Sequence, residues 1–176
     1  MDITTIITRV EKTQHGFDDI RRTADEIVET CSARDAVMLG RRLFVSDVHQ
    51  ARMTAVFVFG AHAARSKVML ALLREQVSAD TDWRVQECLA QAFDRVCKDT
   101  AYEAALPLMR DWLHDKRANV RRAVTEGLRI WTARPYFKQH PDAAIGLLAP
   151  LRVDDSDYVR RSAGNALRDI SRKQPG

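Results

Sequence analysis

Apolar and small residues in the second half of the chain recur on a helical period, and they do so three times. The segments VSADTDWRVQECLAQAFDRV, WLHDKRANVRRAVTEGLRIW and LRVDDSDYVRRSAGNALRDI superpose without gaps on Val85, Val120 and Val159, at spacings of 35 and 39 residues. Positions +3, +4, +7, +8 and +11 after each valine form one stripe of an α-helix. They are Cys88, Leu89, Ala92, Phe93 and Val96, then Ala123, Val124, Gly127, Leu128 and Trp131, then Ser162, Ala163, Ala166, Leu167 and Ile170. An aspartate stands five residues before each valine, at Asp80, Asp115 and Asp154. A short acidic side chain there suits a turn, where it accepts from the N–H groups that open the next helix.

A fainter copy, Ala51, Thr54, Ala55, Val58, Phe59 and His62, lies 34 residues upstream of the first. Partner helices are expected at Arg34–Val45, Lys67–Val77, Ala101–Leu113 and Pro141–Leu151, with Asp18–Cys31 and a shorter helix before Gly16 as an end cap. ARPYFKQHPD, in which Pro135 and Pro141 bracket an aromatic-basic connection, reads as a loop because proline restricts its predecessor and ends a helix. No segment alternates long enough to compete as a strand. The spacing therefore predicts an all-α fold, HEAT-like helical hairpins stacked as a short right-handed α-α superhelix or solenoid. It occupies a single domain, 1–176, with capping helices over 1–33 and about four hairpins over 34–174.

Composition adds that the protein is soluble and globular, with 45% hydrophobic and 30% charged residues. No secretory leader or spanning segment is read, so a cytoplasmic location without membrane association is expected. Cys31, Cys88 and Cys97 form no CxxC pair, and an odd count leaves no complete disulfide framework. They read as reduced thiols, Cys88 as core filler. The five histidines are scattered, so no metal site is expected. Nor is there a Walker A loop, a dinucleotide fingerprint or a GxSxG elbow.

Charge changes the picture more. Residues 1–116 carry 16 Lys and Arg against 18 Asp and Glu, whereas 117–176 carry 12 against 6. A basic C-terminal part points toward a polyanion. Stacked repeats turn each off-stripe position into a ladder: Gln86, Arg121, Arg160 at +1; Glu87, Arg122, Arg161 at +2; Gln91, Glu126, Asn165 at +6; Asp94, Arg129, Arg168 at +9. Arginine suits a row of phosphates because its planar fork makes paired hydrogen bonds and keeps its charge. The same residues also suit inter-repeat ion pairs, Glu87 with Arg122 and Asp94 with Arg129, with Arg160 and Arg161 merely solvated.

Over about Lys67 to Lys173 the chain resembles the HEAT-like-repeat DNA alkylation repair proteins of the AlkD and AlkC type. NVRRAVTEGLR (Asn119–Arg129) and DYVRRSAGNALRDIS (Asp157–Ser171) resemble the AlkC-type pattern VRRxxxEGxR followed by YVRRSxxNxLxDIS. A generic HEAT repeat shares the valine-arginine opening but not Glu126-Gly127 or Asn165. In WRVQE, Trp83 and Glu87 stand at the spacing of the AlkD group's tryptophan and catalytic aspartate, and Arg122, 35 residues on, matches its DNA-contacting arginine. Asn165 takes the place of a further tryptophan that touches the lesion in AlkD-type enzymes.

The resemblance implies a protein that binds duplex or branched DNA mainly by the phosphate backbone, as a monomer, through Arg121, Arg122, Arg129, Arg160, Arg161, Asn165 and Arg168. It implies excision of N3- or N7-alkylated cationic purines without a cofactor, with Glu87 as the carboxylate, Trp83 against the sugar or backbone and Glu126 as a second carboxylate. Against this stand plainer roles: Trp83 as a wedge between repeats, Glu87 as the neutraliser of Arg122, and Glu126 as the partner of Arg129 one turn on. Trp112 and Trp131 fall on the stacking surface and are expected in the core. A different class of function fits the same fold, a non-catalytic scaffold whose groove receives an acidic segment of a protein partner.

Overall fold

The computed structural model describes residues 2–174, and every regular element among them is helical. Contacts gather the chain into two compact units, Met1–Val96 and Cys97–Gly176.

The first unit holds α1 (Ile3–Val10), α2 (Asp18–Thr30), α3 (Ala33–Phe44), α4 (His49–Ala63), α5 (Lys67–Glu75) and most of α6 (Trp83–Thr100). Side chains that satisfy otherwise unpaired N–H groups set several helix starts: Asp2 accepts from Thr5, Ser32 from Asp35 and Ser66 from Met69. α4 is the centre of this unit, packed by α1, α2, α3 and α5. Ten of its residues are buried, on all sides of the helix, including Met53, Val56 and Phe59. Most of its off-stripe positions are apolar as well, Met53, Val56 and Gly60 among them, so no polar face sets a period and the upstream copy of the repeat is faint.

Gly60 of α4 meets α6 without room for a side chain: a Cβ there would lie 2.8 Å from the Ala92 Cβ and 3.1 Å from its Cα. The obstacle includes backbone and cannot rotate away. Gly60→Ala is therefore expected to destabilise, an overpacking cost of about 1–3 kcal/mol outweighing the propensity gain of about 1 kcal/mol. Gly146→Ala, on an exposed helical face with nothing within 4 Å of the new Cβ, has only the gain. Denaturant midpoints at constant m-value should move in opposite directions for the two variants.

The second unit holds α7 (Leu106–Leu113), α8 (Ala118–Gly127), α9 (Pro135–Gln139), α10 (Pro141–Leu148) and α11 (Asp157–Lys173), with α8 packed on α7 and α11. Three local expectations are corrected. The helix foreseen from Ala101 begins at Leu106, because Ala101 takes φ 73° and the chain turns before restarting. The valine stripe foreseen as one helix through Trp131 stops at Gly127, and Ile130 turns left-handed at φ 57°. Trp131 is buried nonetheless, delivered by a 3₁₀ turn onto the Phe137 ring, 4.7 Å between centroids. Finally, the segment foreseen as a loop forms α9, because Pro135 and Pro141 sit at the first turns of α9 and α10, where a missing N–H costs nothing. Trp112 and Trp131 are both in the core.

One device opens every inner helix. The Oδ1 atoms of Asp80, Asp115 and Asp154 accept from the N–H of Asp82, Arg117 and Ser156 at 2.8, 2.8 and 2.9 Å, in each case the residue just before the helix. Ser46 does the same for Val48 ahead of α4, at 3.2 Å, which makes His49–Ala63 the fourth copy of the repeat. These side chains mimic a backbone turn.

Candidate nucleic-acid interface

The ladder positions separate sharply by what their side chains touch. At +1 the chain carries Arg52, Gln86, Arg121 and Arg160, and each reaches back to the carbonyl five residues before its own valine or alanine. Arg52 donates to Ser46 at 3.0 Å, Gln86 to Asp80 at 2.6 Å, Arg121 to Asp115 at 2.8 Å and Arg160 to Asp154 at 2.5 Å. Side chains lean toward the N-terminus of their helix, so a long residue in the first turns falls on the preceding loop. Within each unit the arginine also holds the next aspartate. Arg52 meets Asp80 at 2.8 and 3.4 Å, and Arg121 grips Asp154 through two bonds of 2.7 Å.

The Arg121–Asp154 pair is buried, its side chains 11% and 6% exposed. Hydrogen bonding to Asp154 raises the Arg121 pKa. Burial pushes the Asp154 carboxyl up, but the Arg121 bond, the Ser156 N–H and the charges of Arg121 and Arg160 together hold it below the usual value. All three guanidinium nitrogens of Arg121 are thus engaged inside the protein. Arg160 is half-buried and tied to the carbonyls of Asp154 and Asp155 and to the Asp157 carboxylate.

At +2, Arg122 is buried, with its guanidinium carbon 4.3 Å from the centroid of the exposed Tyr158 ring. Glu87 is half-buried. Trp83, one turn before it on α6, is 64% exposed and carries the Arg84 guanidinium 5.4 Å from its centroid. It is not buried as a wedge. Glu126 is mostly covered and stands 4.0 Å from the exposed Arg129, which lies just past the end of α8.

The remaining predicted residues come together on α11. Arg161, Asn165 and Arg168 are exposed at i, i+4 and i+7, and Arg172 continues the stripe at i+11. Arg172 escaped the sequence reading, although its place one turn past Arg168 was a usable signal. The exposed Asn165 accepts a bond from Arg168 at 3.1 Å through its Oδ1, and its amide nitrogen is a donor by nature. The stripe therefore presents hydrogen-bond donors and positive charge. Arg161 has an acidic companion, Asp157, at 2.5 Å.

Cys88, beside Glu87, is buried, and burial followed by the Glu87 charge raises its thiol pKa well above the ordinary value, so it is inert packing. Among the described residues no three His, Cys, Asp or Glu side chains gather as a metal site, and no helix is long and apolar enough to cross a membrane.

Comparison with known proteins adds four findings. The model of a family described as DNA alkylation repair enzyme matches residues 17–176. The crystal structure of AlkD2 from Streptococcus mutans superposes with a TM-score of 0.95 at 44% identity, covering 98% of this chain and 83% of that one. That of smu.31 from Streptococcus mutans UA159 superposes with a TM-score of 0.90 at 44% identity, covering 99% and 86%. Among curated sequences, the uncharacterised protein YhaZ of Bacillus subtilis is 38% identical over 68 residues, 36% of this chain and 19% of YhaZ.

Proposed function

The chain belongs to the DNA alkylation repair enzyme family, and on that premise we propose that it holds DNA by the phosphate backbone along the exposed face of α11. The observation that carries this reading is the composition of that face: the exposed Arg161, Asn165, Arg168 and Arg172 offer donors to a partner made of acceptors. Phosphate oxygens are such a partner, and forked guanidinium groups match them. Arg129, exposed beyond α8, adds a further cation. Arg121 has a framework role in this proposal, and Arg122 acts from beneath Tyr158 rather than as a free cation on the surface.

Binding of undamaged duplex DNA across a salt series tests this. Three or four neutralised phosphates correspond to a slope of log K against log salt of about −3. Affinity indifferent to salt would exclude a backbone grip.

A second reading rests on Trp83 and Glu87, which share one face of α6 a turn apart, the tryptophan open to solvent. A cationic N3- or N7-alkylated purine is already an activated leaving group. Breaking its bond to C1′ sends the electron pair to the base, which departs neutral, and leaves positive charge on the sugar. The Glu87 carboxylate would stabilise that charge and take the proton from the water that adds at C1′. In this role Glu87→Gln abolishes release of 7-methylguanine and 3-methyladenine from duplex DNA while DNA affinity stays unchanged. Release that survives the substitution removes Glu87 from the chemistry.

A further inference from the structure

A cavity of about 280 Å³ lies within the first unit, between the α1–α2 loop and the starts of α4 and α6. Its floor is apolar: Ile20 and Met53 are 1% and 2% exposed, with Phe17 half-buried beside them. Its mouth carries the exposed Trp83, the Arg84 guanidinium over that ring, and the polar edges of Gln14, His15 and His49. Among the described residues no carboxylate lines it.

The cavity is built, not an accident of a loose loop. Gln50, itself buried, donates its amide to the carbonyls of Thr13 at 3.0 Å and Glu11 at 3.4 Å, which fixes the loop over α4. Gly16 supplies the left-handed turn, φ +80°, that brings the loop round to α2. Arg84 is held at the mouth by Asp82, 3.0 Å away, so the pair carries little net charge.

We propose that this cavity receives one unpaired nucleobase, stacked against Trp83 and Arg84 with its hydrogen-bonding edge toward Gln14, His15 and His49. The volume is just below that of pockets for drug-sized ligands and suits a single heterocycle. A flat aromatic body matches the apolar floor and the indole face, and stacking on an aromatic side chain is how proteins hold unpaired bases. A base edge alternates donors and acceptors, and so do amide and imidazole groups. Burial, and secondarily the Arg84 charge, lowers the His49 pKa, keeping that ring neutral and able to do both. The base has two possible sources, a nucleotide displaced from a DNA helix or a free nucleotide. The first rests on the DNA-binding reading, the second does not.

Trp83 reports on its own cavity, because Trp112 and Trp131 are buried and shielded from iodide. Iodide quenching is measured with a fully paired duplex, with the same duplex carrying a single-adenine bulge, and with deoxyadenosine monophosphate alone. The expected result is binding of the bulged duplex about tenfold tighter than the paired one, with Trp83 newly protected. His49→Ala and Arg84→Ala should each remove that preference while leaving affinity for the paired duplex, and its salt slope, unchanged. Saturable protection by the free nucleotide, lost in the same variants and without a bulge preference, assigns the cavity to the free ligand. Equal protection by bulged and paired DNA together with none from the nucleotide overturns the proposal, as does a bulge preference untouched in both variants. Paired-duplex affinity in the same titrations judges the α11 reading separately.

Discussion

Asp154→Ala lowers stability by about 3 kcal/mol and the melting temperature by about 10 °C, more than any single substitution on the exposed face of α11. The substitution strands the Arg121 guanidinium, which is buried and loses both of its 2.7 Å bonds to the carboxylate. It also opens the turn that satisfies the Ser156 N–H ahead of α11. Most of the cost is the desolvated charge left behind. Replacing both partners, Arg121→Met with Asp154→Leu, should therefore recover much of the loss. With Asp154 intact, Arg121→Lys should itself destabilise, since a single ammonium cannot reproduce the fork that spans Asp154 and the Asp115 carbonyl. Tryptophan emission follows the transition in the relevant unit, because Trp112 and Trp131 both lie there and are buried. A loss below about 1 kcal/mol would mean that the pair behaves like an exposed ion pair.

The same carboxylate gives the clamp a pH signature. Its pKa is depressed in the folded protein, so the unfolded chain binds the proton more readily. The stabilisation is complete above the unfolded value of about 3.9 and is lost as pH falls through the lower folded value. Asp154→Asn should flatten the acid side of the stability profile while leaving the neutral-to-alkaline side parallel to that of the parent. An acid limb of unchanged steepness would show that Asp154 titrates normally.

What the sequence made legible follows from how polar each helix is away from its apolar stripe. α6 and α11 bury one stripe and leave an exposed face, and α8, though covered all round, still sets Arg121, Arg122, Thr125 and Glu126 off its apolar stripe, so their phase, the opening aspartates and the partner helices could be read from spacing. α4, mostly apolar off its stripe as well, kept only a trace of the pattern; its membership in the series becomes plain from Ser46 capping Val48 and Arg52 reaching Asp80. The candidate site was half legible. Periodicity gives the angle at which a residue leaves its helix, but not the lean of the side chain toward the N-terminus. That lean carries Arg121 and Arg160 back onto their loops and leaves the similar Arg161 outside. α9 was missed because a proline at the first position of a helix and a proline in a loop read alike without knowing where the next N–H groups go.

The triple substitution Arg161→Ala, Arg168→Ala, Arg172→Ala weakens duplex binding by about a hundredfold at moderate salt and makes the salt slope shallower by about 3, one unit for each lost phosphate contact. The loss should be nearly uniform across DNA sequences, because backbone contacts position a protein without reading bases. Stability should scarcely change, since these side chains are exposed and the Arg161–Asp157 pair is a surface pair with its partners 76% and 58% exposed. Arg121→Ala supplies the opposite pattern: a large loss of stability, with the salt slope intact wherever the protein remains folded. Asp157→Asn separates a grip from a merely basic surface. Asp157 pairs with both Arg160 and Arg161 at the first turn of α11, and neutralising it frees Arg161 for phosphate. DNA affinity should then rise at low salt while the helix gives up the small stabilisation an acidic residue brings to its N-terminus. If Asp157→Asn and the triple variant both leave the salt slope where it was, the phosphates are held elsewhere, and the α11 stripe is only a solvated face.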